Sequence, residues 1–98
     1  GAYKLAVNGN IRSKEVVVET GWADYVFDHN YPLKTLEELE QFIKRNNHLP
    51  NIPSAKEIEE NGLHLGDVQK RMMEKIEELT LYVIELKKEI ETLKKKNQ

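Results

Sequence analysis

The chain has 98 residues, enough for one small domain and one long helix but not for two independent cores. With 33% charged residues and a net charge of -2, it lacks the basic excess that nucleic acid or an anionic membrane surface demands. It has no cysteine, which removes disulfides, thiolate catalysis and cysteine zinc sites, and no stretch approaches the roughly 20 apolar residues that span a bilayer. The absence of cysteine does not fix the compartment. No signal peptide is visible, and Gly1-Ala2 reads as a cloning remnant, so the chain is expected to be a fragment of a longer protein.

Residues 1–20 form the first unit, within which residues 3–19 alternate and are rich in β-branched types: Tyr3-Lys4-Leu5-Ala6-Val7, then Asn8-Gly9, then Ile11 and Val16-Val17-Val18. Asn-Gly between apolar runs predicts a β-hairpin, because both turn positions accept positive φ. The second strand would run from about Asn10 to Glu19, with Ser13-Lys14 as a bulge or kink. A lone two-stranded ribbon is marginal in water, so it has to pack on the rest of the chain or pair with neighbouring subunits.

Residues 21–64 read as a compact, irregular region with two short capped helices. Thr35-Leu36-Glu37-Glu38 fits a capping box, and Ser54-Ala55-Lys56-Glu57 repeats it. The first helix is expected to bury Leu36, Leu39, Phe42 and Ile43 and to stop near Asn46-Asn47; Gly62 should end the second. Pro50 and Pro53 stiffen the link between them. Trp22, Tyr25, Phe27 and Tyr31 cluster just before the first helix and are the expected core of this region.

Residues 65–98 carry the strongest pattern. With Ile76, Val83 and Ile90 at heptad position a, Met72, Leu79, Leu86 and Leu93 fall at d, and Val68 and Gln69 extend the pattern backward. This predicts a coiled-coil helix whose oligomer interface is Val68, Met72, Ile76, Leu79, Val83, Leu86, Ile90 and Leu93. Ile or Val at a with Leu at d formally favours a parallel dimer. However, Leu81 at f, Tyr82 at g, Ile84 at b and Met73 at e make the middle apolar almost all round. Either a third helix uses the flanking positions or the compact region folds back over them, and a parallel trimer is the expectation. Glu89 at g can pair with Lys94 at e of a neighbour, as an in-register parallel bundle requires.

Three strings are specific: Trp22-Ala23-Asp24-Tyr25-Val26-Phe27-Asp28, then Tyr31-Pro32-Leu33, then His48-Leu49-Pro50-Asn51-Ile52-Pro53-Ser54. Together with Asn61-Gly62, Leu65-Gly66-Asp67 and Ile76-Glu77-Glu78-Leu79-Thr80-Leu81-Tyr82, the chain resembles the C-terminal tail-fibre type domain of Bacteroidetes fibrous and phage-like proteins. Leu5-Ala6-Val7-Asn8-Gly9-Asn10-Ile11 is similar to the last β-repeat of such a fibre shaft. More distantly, the layout is similar to the intramolecular chaperone domains of endosialidase tailspikes, which trimerise through C-terminal helices and in many cases cleave themselves off. The resemblance implies an extracellular, cell-surface or virion fibre, with the upstream shaft of the same chain as a partner. The self-cleaving members use a Ser-Asp-x-Arg-x-Lys type motif. Asn10-Ile11-Arg12-Ser13-Lys14 lacks its aspartate and its order, so autoproteolysis is not carried over.

No other group of residues points to chemistry. His29, His48 and His64 lack the spacing that presents two metal ligands together; a trimer axis could gather three copies of one histidine, but separate hydrogen-bonded imidazoles are the simpler reading. Asp24 and Asp28 resemble an acid–base pair only in number and fit turn capping better. Ser13 and Lys14, adjacent on a strand, would point to opposite faces. The lysines at the end suit a solvated helix terminus, and Trp22 with its neighbouring tyrosines fits a core better than a carbohydrate platform. No cofactor or metal is expected, and neither nucleic-acid binding nor membrane insertion. The expected fold is α+β: a hairpin, a small irregular region with two short helices, and a long helix in a parallel trimer. The expected function is non-catalytic trimerisation and folding registration of a fibre. A receptor- or glycan-binding adhesive tip is the alternative, and a self-cleaving chaperone peptidase a third possibility.

Overall fold

In the computed structural model, which describes residues 2–97, all regular structure among the described residues is helical. A single 3₁₀ turn, Tyr25–Phe27, is followed by α1 (Leu36–Asn46), α2 (Ala55–Asn61) and α3 (Leu65–Lys96). The long helix sets the shape, 65 × 31 × 26 Å, since its 32 residues extend about 48 Å at 1.5 Å each. Asp67 in its first turn and Lys94, Lys95 and Lys96 in its last oppose the helix dipole at both ends.

Both short helices are fixed by their caps. Thr35 Oγ1 accepts from the Glu38 N–H at 3.1 Å while Glu38 Oε1 accepts from the Thr35 N–H at 3.0 Å. Ser54 and Glu57 make the same reciprocal pair at 3.2 and 3.3 Å. Each box occupies donors that a helix start leaves free. At the other ends the chain turns through positive φ, at Asn47 (58°) after α1 and at Gly62 (78°) after α2. There each amide donates back to the carbonyl four residues earlier, Ile43 and Ile58.

The hairpin expected over residues 3–19 is not formed, and the fold is all-helical rather than α+β: among the described residues there is no strand. Asn8-Gly9 is a bend, but its arms make no ladder, and the large apolar residues from Tyr3 to Val18 are exposed. A two-stranded ribbon needs a surface to cover one face, and here the apolar side chains of the segment stay exposed instead of packing on the helices. Local bonds also compete: the Val16 N–H donates to Glu15 Oε1 at 2.9 Å, taking a donor that a ladder would need.

The N-terminal segment meets α3 at its end. Val18 and Thr20 lie against Gly66 in the first turn of α3, so closely that a Cβ on Gly66 would sit 2.6 Å from Val18 Cγ1. The chain then crosses α3 through Ala23 and the 3₁₀ turn. These bury Ala23 and Val26, three residues apart and on one side of the turn, against the helix. Asp24, between them, adopts the left-handed region (φ 71°) and is held there by its N–H donating to Glu77 Oε1 at 3.0 Å.

The small core differs from the expected one. Trp22 and Phe27 are more than half exposed; Tyr25, Leu36 and Ile43 are at the margin of exposure; Leu39 and Phe42 are half-buried. Among the described residues those that are buried are Ala23, Val26 and Tyr82, together with Glu74 and Glu77. Aromatic count misled because a one-turn element presents only one residue inward, and here that residue is Val26. The rings lie around the rim, where Tyr25 and Tyr31 approach at 6.0 Å and Phe42 meets His48 edge-on.

Candidate oligomerisation face

Helix α3 has two chemically different sides. On one, Met72, Ile76, Leu79, Val83, Leu86, Ile90 and Leu93 form the heptad row, each between 44% and 63% exposed. Ile76, Leu79, Thr80, Val83 and Ile84 line an apolar groove along it. Seven large apolar side chains in one helical row far exceed the scattered exposure that is ordinary on a surface. Val68 departs from the row: it lies at g, half-buried, and lines the cleft beneath α2 with Ile58 rather than facing the seam.

The opposite side is polar and occupied. Glu74 Oε1 accepts from the Tyr25 hydroxyl at 2.6 Å, and Glu74 Oε2 accepts from Asn51 Nδ2 at 2.9 Å. Lys75 Nζ stands 3.3 Å from Glu74 and 2.9 Å from Glu78, whose other oxygen accepts from the Tyr31 hydroxyl. Tyr82 donates to the Lys34 carbonyl at 2.7 Å, and Arg71 donates to both the carbonyl and the side-chain oxygen of Asn51. Residues 23–51 are thus clasped to α3 mainly through carboxylates at positions b, c and f, away from a and d.

The clasp polarises its groups. Burial alone would push the Glu74 carboxyl up, but hydrogen bonds from Tyr25, Asn51 and Lys75 outweigh it and hold the group below its ordinary value. The bond to Glu74, then burial, pushes the Tyr25 hydroxyl up to about 12. Burial and the bond to Glu78 raise Tyr31 as well, and burial with the nearby glutamates raises Tyr82. Glu77 is buried with one oxygen on the Asp24 N–H and the other without a hydrogen-bond partner among the described residues.

The remaining sequence candidates are dispersed. His48 lies against the Leu49 carbonyl and Phe42, and His64 precedes α3; with Asn51, Glu57, Asp67 and Arg71 they line an open polar cleft of about 480 Å³ beside α2. Among the described residues no group of three or more His, Asp or Glu side chains could hold a metal ion. Asp24 and Asp28 stand at the two ends of the 3₁₀ turn. Ser13 is exposed, its hydroxyl 3.4 Å from the Glu15 carbonyl. No described helix is long and apolar enough to cross a membrane.

The polar clasp is the part that sequence reasoning missed. Its signal was Glu74, Glu77 and Glu78 recurring at helical spacing opposite an apolar seam, upstream of which two tyrosines and an asparagine lacked partners. No protein-family model, curated protein or solved structure matches the chain.

Proposed function

We propose that this chain is the trimerising and register-setting end of a fibrous protein, a cell-surface or virion fibre, and acts without catalysis. The uncovered heptad row on α3 carries the reading. Burying it removes apolar surface at about 25 cal/mol per Å² in each chain, and a further copy of the same row is the partner that matches its spacing. A parallel arrangement brings Glu89 at g beside Lys94 at e of the next helix. That exposed pair contributes only about 0.2–1 kcal/mol, so it selects orientation more than it stabilises.

Three copies are favoured over two because the apolar surface does not stop at a and d. Ile84 at b and Met73 at e widen it on one side. Contacts along the row are local in sequence and need only one register, so the helices associate first. That step brings the segments crossing Gly66 together at high effective concentration and at a common level. The upstream shaft of the same chain is then the natural partner.

The test is the absolute mass in solution by light scattering after size exclusion. Three times the 11.5 kDa chain is expected. A mass of one chain overturns the proposal, and a mass of two chains overturns its trimeric form.

A second reading rests on the exposure of Trp22 and Phe27, which leaves two apolar rings on the outer rim. An adhesive tip that stacks on a glycan or receptor would use them. Binding on a glycan array that Trp22→Ala abolishes would favour it, and an array without signal would remove it.

A further inference from the structure

The clasp leaves the two edges of the seam unequal. On the g edge, Lys75 and Tyr82 are covered by residues of the same chain. At the level of Tyr82 the other edge is bare, beyond the half-buried Met73 and buried Glu77: Thr80 at e is exposed and Ile84 at b, an isoleucine outside the heptad row, is 45% exposed. A second apolar surface is also uncovered. Leu36 and Ile43 on α1 are 37% and 40% exposed, and with the half-buried Leu39 they form a shallow groove edged by Glu40 and Lys44.

The position of α1 connects these two surfaces. The Tyr82 hydroxyl on the Lys34 carbonyl fixes the start of α1 at the g edge of its own helix, and Leu39 lines the same cleft as Lys75, Glu78 and Tyr82. In a parallel bundle the g edge of one helix borders the e edge of the next.

We infer that α1 of each protomer lays its Leu36–Leu39–Ile43 stripe against the Thr80–Ile84 edge of α3 in the neighbouring copy. The occupant of both surfaces is therefore a second copy of this chain. The contact is continuous with the heptad seam and joins different patches on its two sides, so it closes as a ring around the bundle axis. Charge permits the approach: α1 presents the Glu40–Lys44 pair and the receiving edge the Lys87–Glu91 pair, so neither meets a surface of one sign. This inference rests on the parallel trimer proposed above and adds which surfaces flank its seam.

The absence of cysteine allows a direct test. The double variants Ile43→Cys/Ile84→Cys and Leu36→Cys/Ile84→Cys carry only the introduced thiols, at positions already partly exposed. After mild oxidation, non-reducing gels should show at least one pair shifting from the one-chain band to two- and three-chain bands, which the matching single variants do not give. Light scattering on the same unoxidised samples separates the two ideas. A trimeric mass with no inter-chain bridge from either pair, or with bridges only within one chain, overturns the α1 contact and leaves the seam intact. A one-chain mass overturns both.

Discussion

Replacing Glu74 by alanine should loosen the attachment of residues 23–51 while leaving the heptad row untouched. Glu74 is 4% exposed and receives the Tyr25 hydroxyl, the Asn51 amide and, more distantly, the Lys75 ammonium. Hydrogen bonds to a charged acceptor contribute about 1.5–3 kcal/mol each, and Tyr25 and Asn51 are exposed enough to recover part of this from water once the carboxylate is gone. A net loss of about 2–4 kcal/mol is therefore expected. That matches or exceeds any single apolar contribution, because among the described residues Ala23, Val26 and Tyr82 are the buried apolar ones and each supplies no more than about 3 kcal/mol. The assay is urea unfolding followed by two signals, near-ultraviolet circular dichroism for the aromatic rim and the 222 nm band for α3. At a slope of about 2 kcal/mol/M the aromatic transition should move down by about 1–2 M. The helix transition should hold nearly still, and Glu74→Gln should fall between the two. If the aromatic midpoint of Glu74→Ala stays where it was, the carboxylate is not what holds the region on.

The same clasp sets a pH window. A folded-state carboxyl held below its ordinary value stabilises fully above that value, so Glu74's contribution is present at neutral pH and lost as acid carries the solution through its depressed pKa. Tyr25 is raised, so its contribution is whole below its ordinary value of about 10 and is lost as pH rises through about 12. Aromatic circular dichroism against pH should show a plateau bounded in this way, and a slope across neutral pH would contradict it. In the proposed trimer, Leu79→Asp or Ile76→Asp would place one buried carboxylate per chain on the bundle axis and should abolish assembly; trimers surviving in light scattering would rule out the seam. Gly66→Ala should fail to deliver the roughly 1 kcal/mol that alanine normally gains in a helix, because its Cβ meets Val18; the gain should return in Gly66→Ala/Val18→Ala. Thermal melts of the single and double variants decide it, and stabilisation by Gly66→Ala alone would mean that Val18 moves away freely.

The helices were legible in the sequence because their causes are local. Thr35 with Glu38, Ser54 with Glu57, and the turns at Asn47 and Gly62 each act within four residues, and the seam repeats every seven. What was not legible depended on residues distant in the chain. The hairpin was suggested by alternation around Asn8-Gly9, but alternation needs one face covered, and the apolar residues from Tyr3 to Val18 stay exposed. The core was assigned to aromatic rings, whereas the short 3₁₀ turn presents Val26 inward and leaves Trp22 and Phe27 at the rim. The α3 glutamates carried no readable role because their partners, Asp24, Tyr25, Tyr31 and Asn51, lie 23 to 53 positions away.

From Val83 to Asn97 every residue of α3 and its cap is exposed, so about four helical turns project past everything that braces the first half. Without tertiary contacts such a stretch is held only by its own backbone bonds and by continuity with the braced half of α3, so it is the part of the helix most prone to fray. Trypsin would therefore find Lys87, Lys88 and Lys94 through Lys96 readily in a solitary chain and poorly in an assembled one. Limited digestion of this tail across concentrations would thus report on the proposed assembly without altering a single residue.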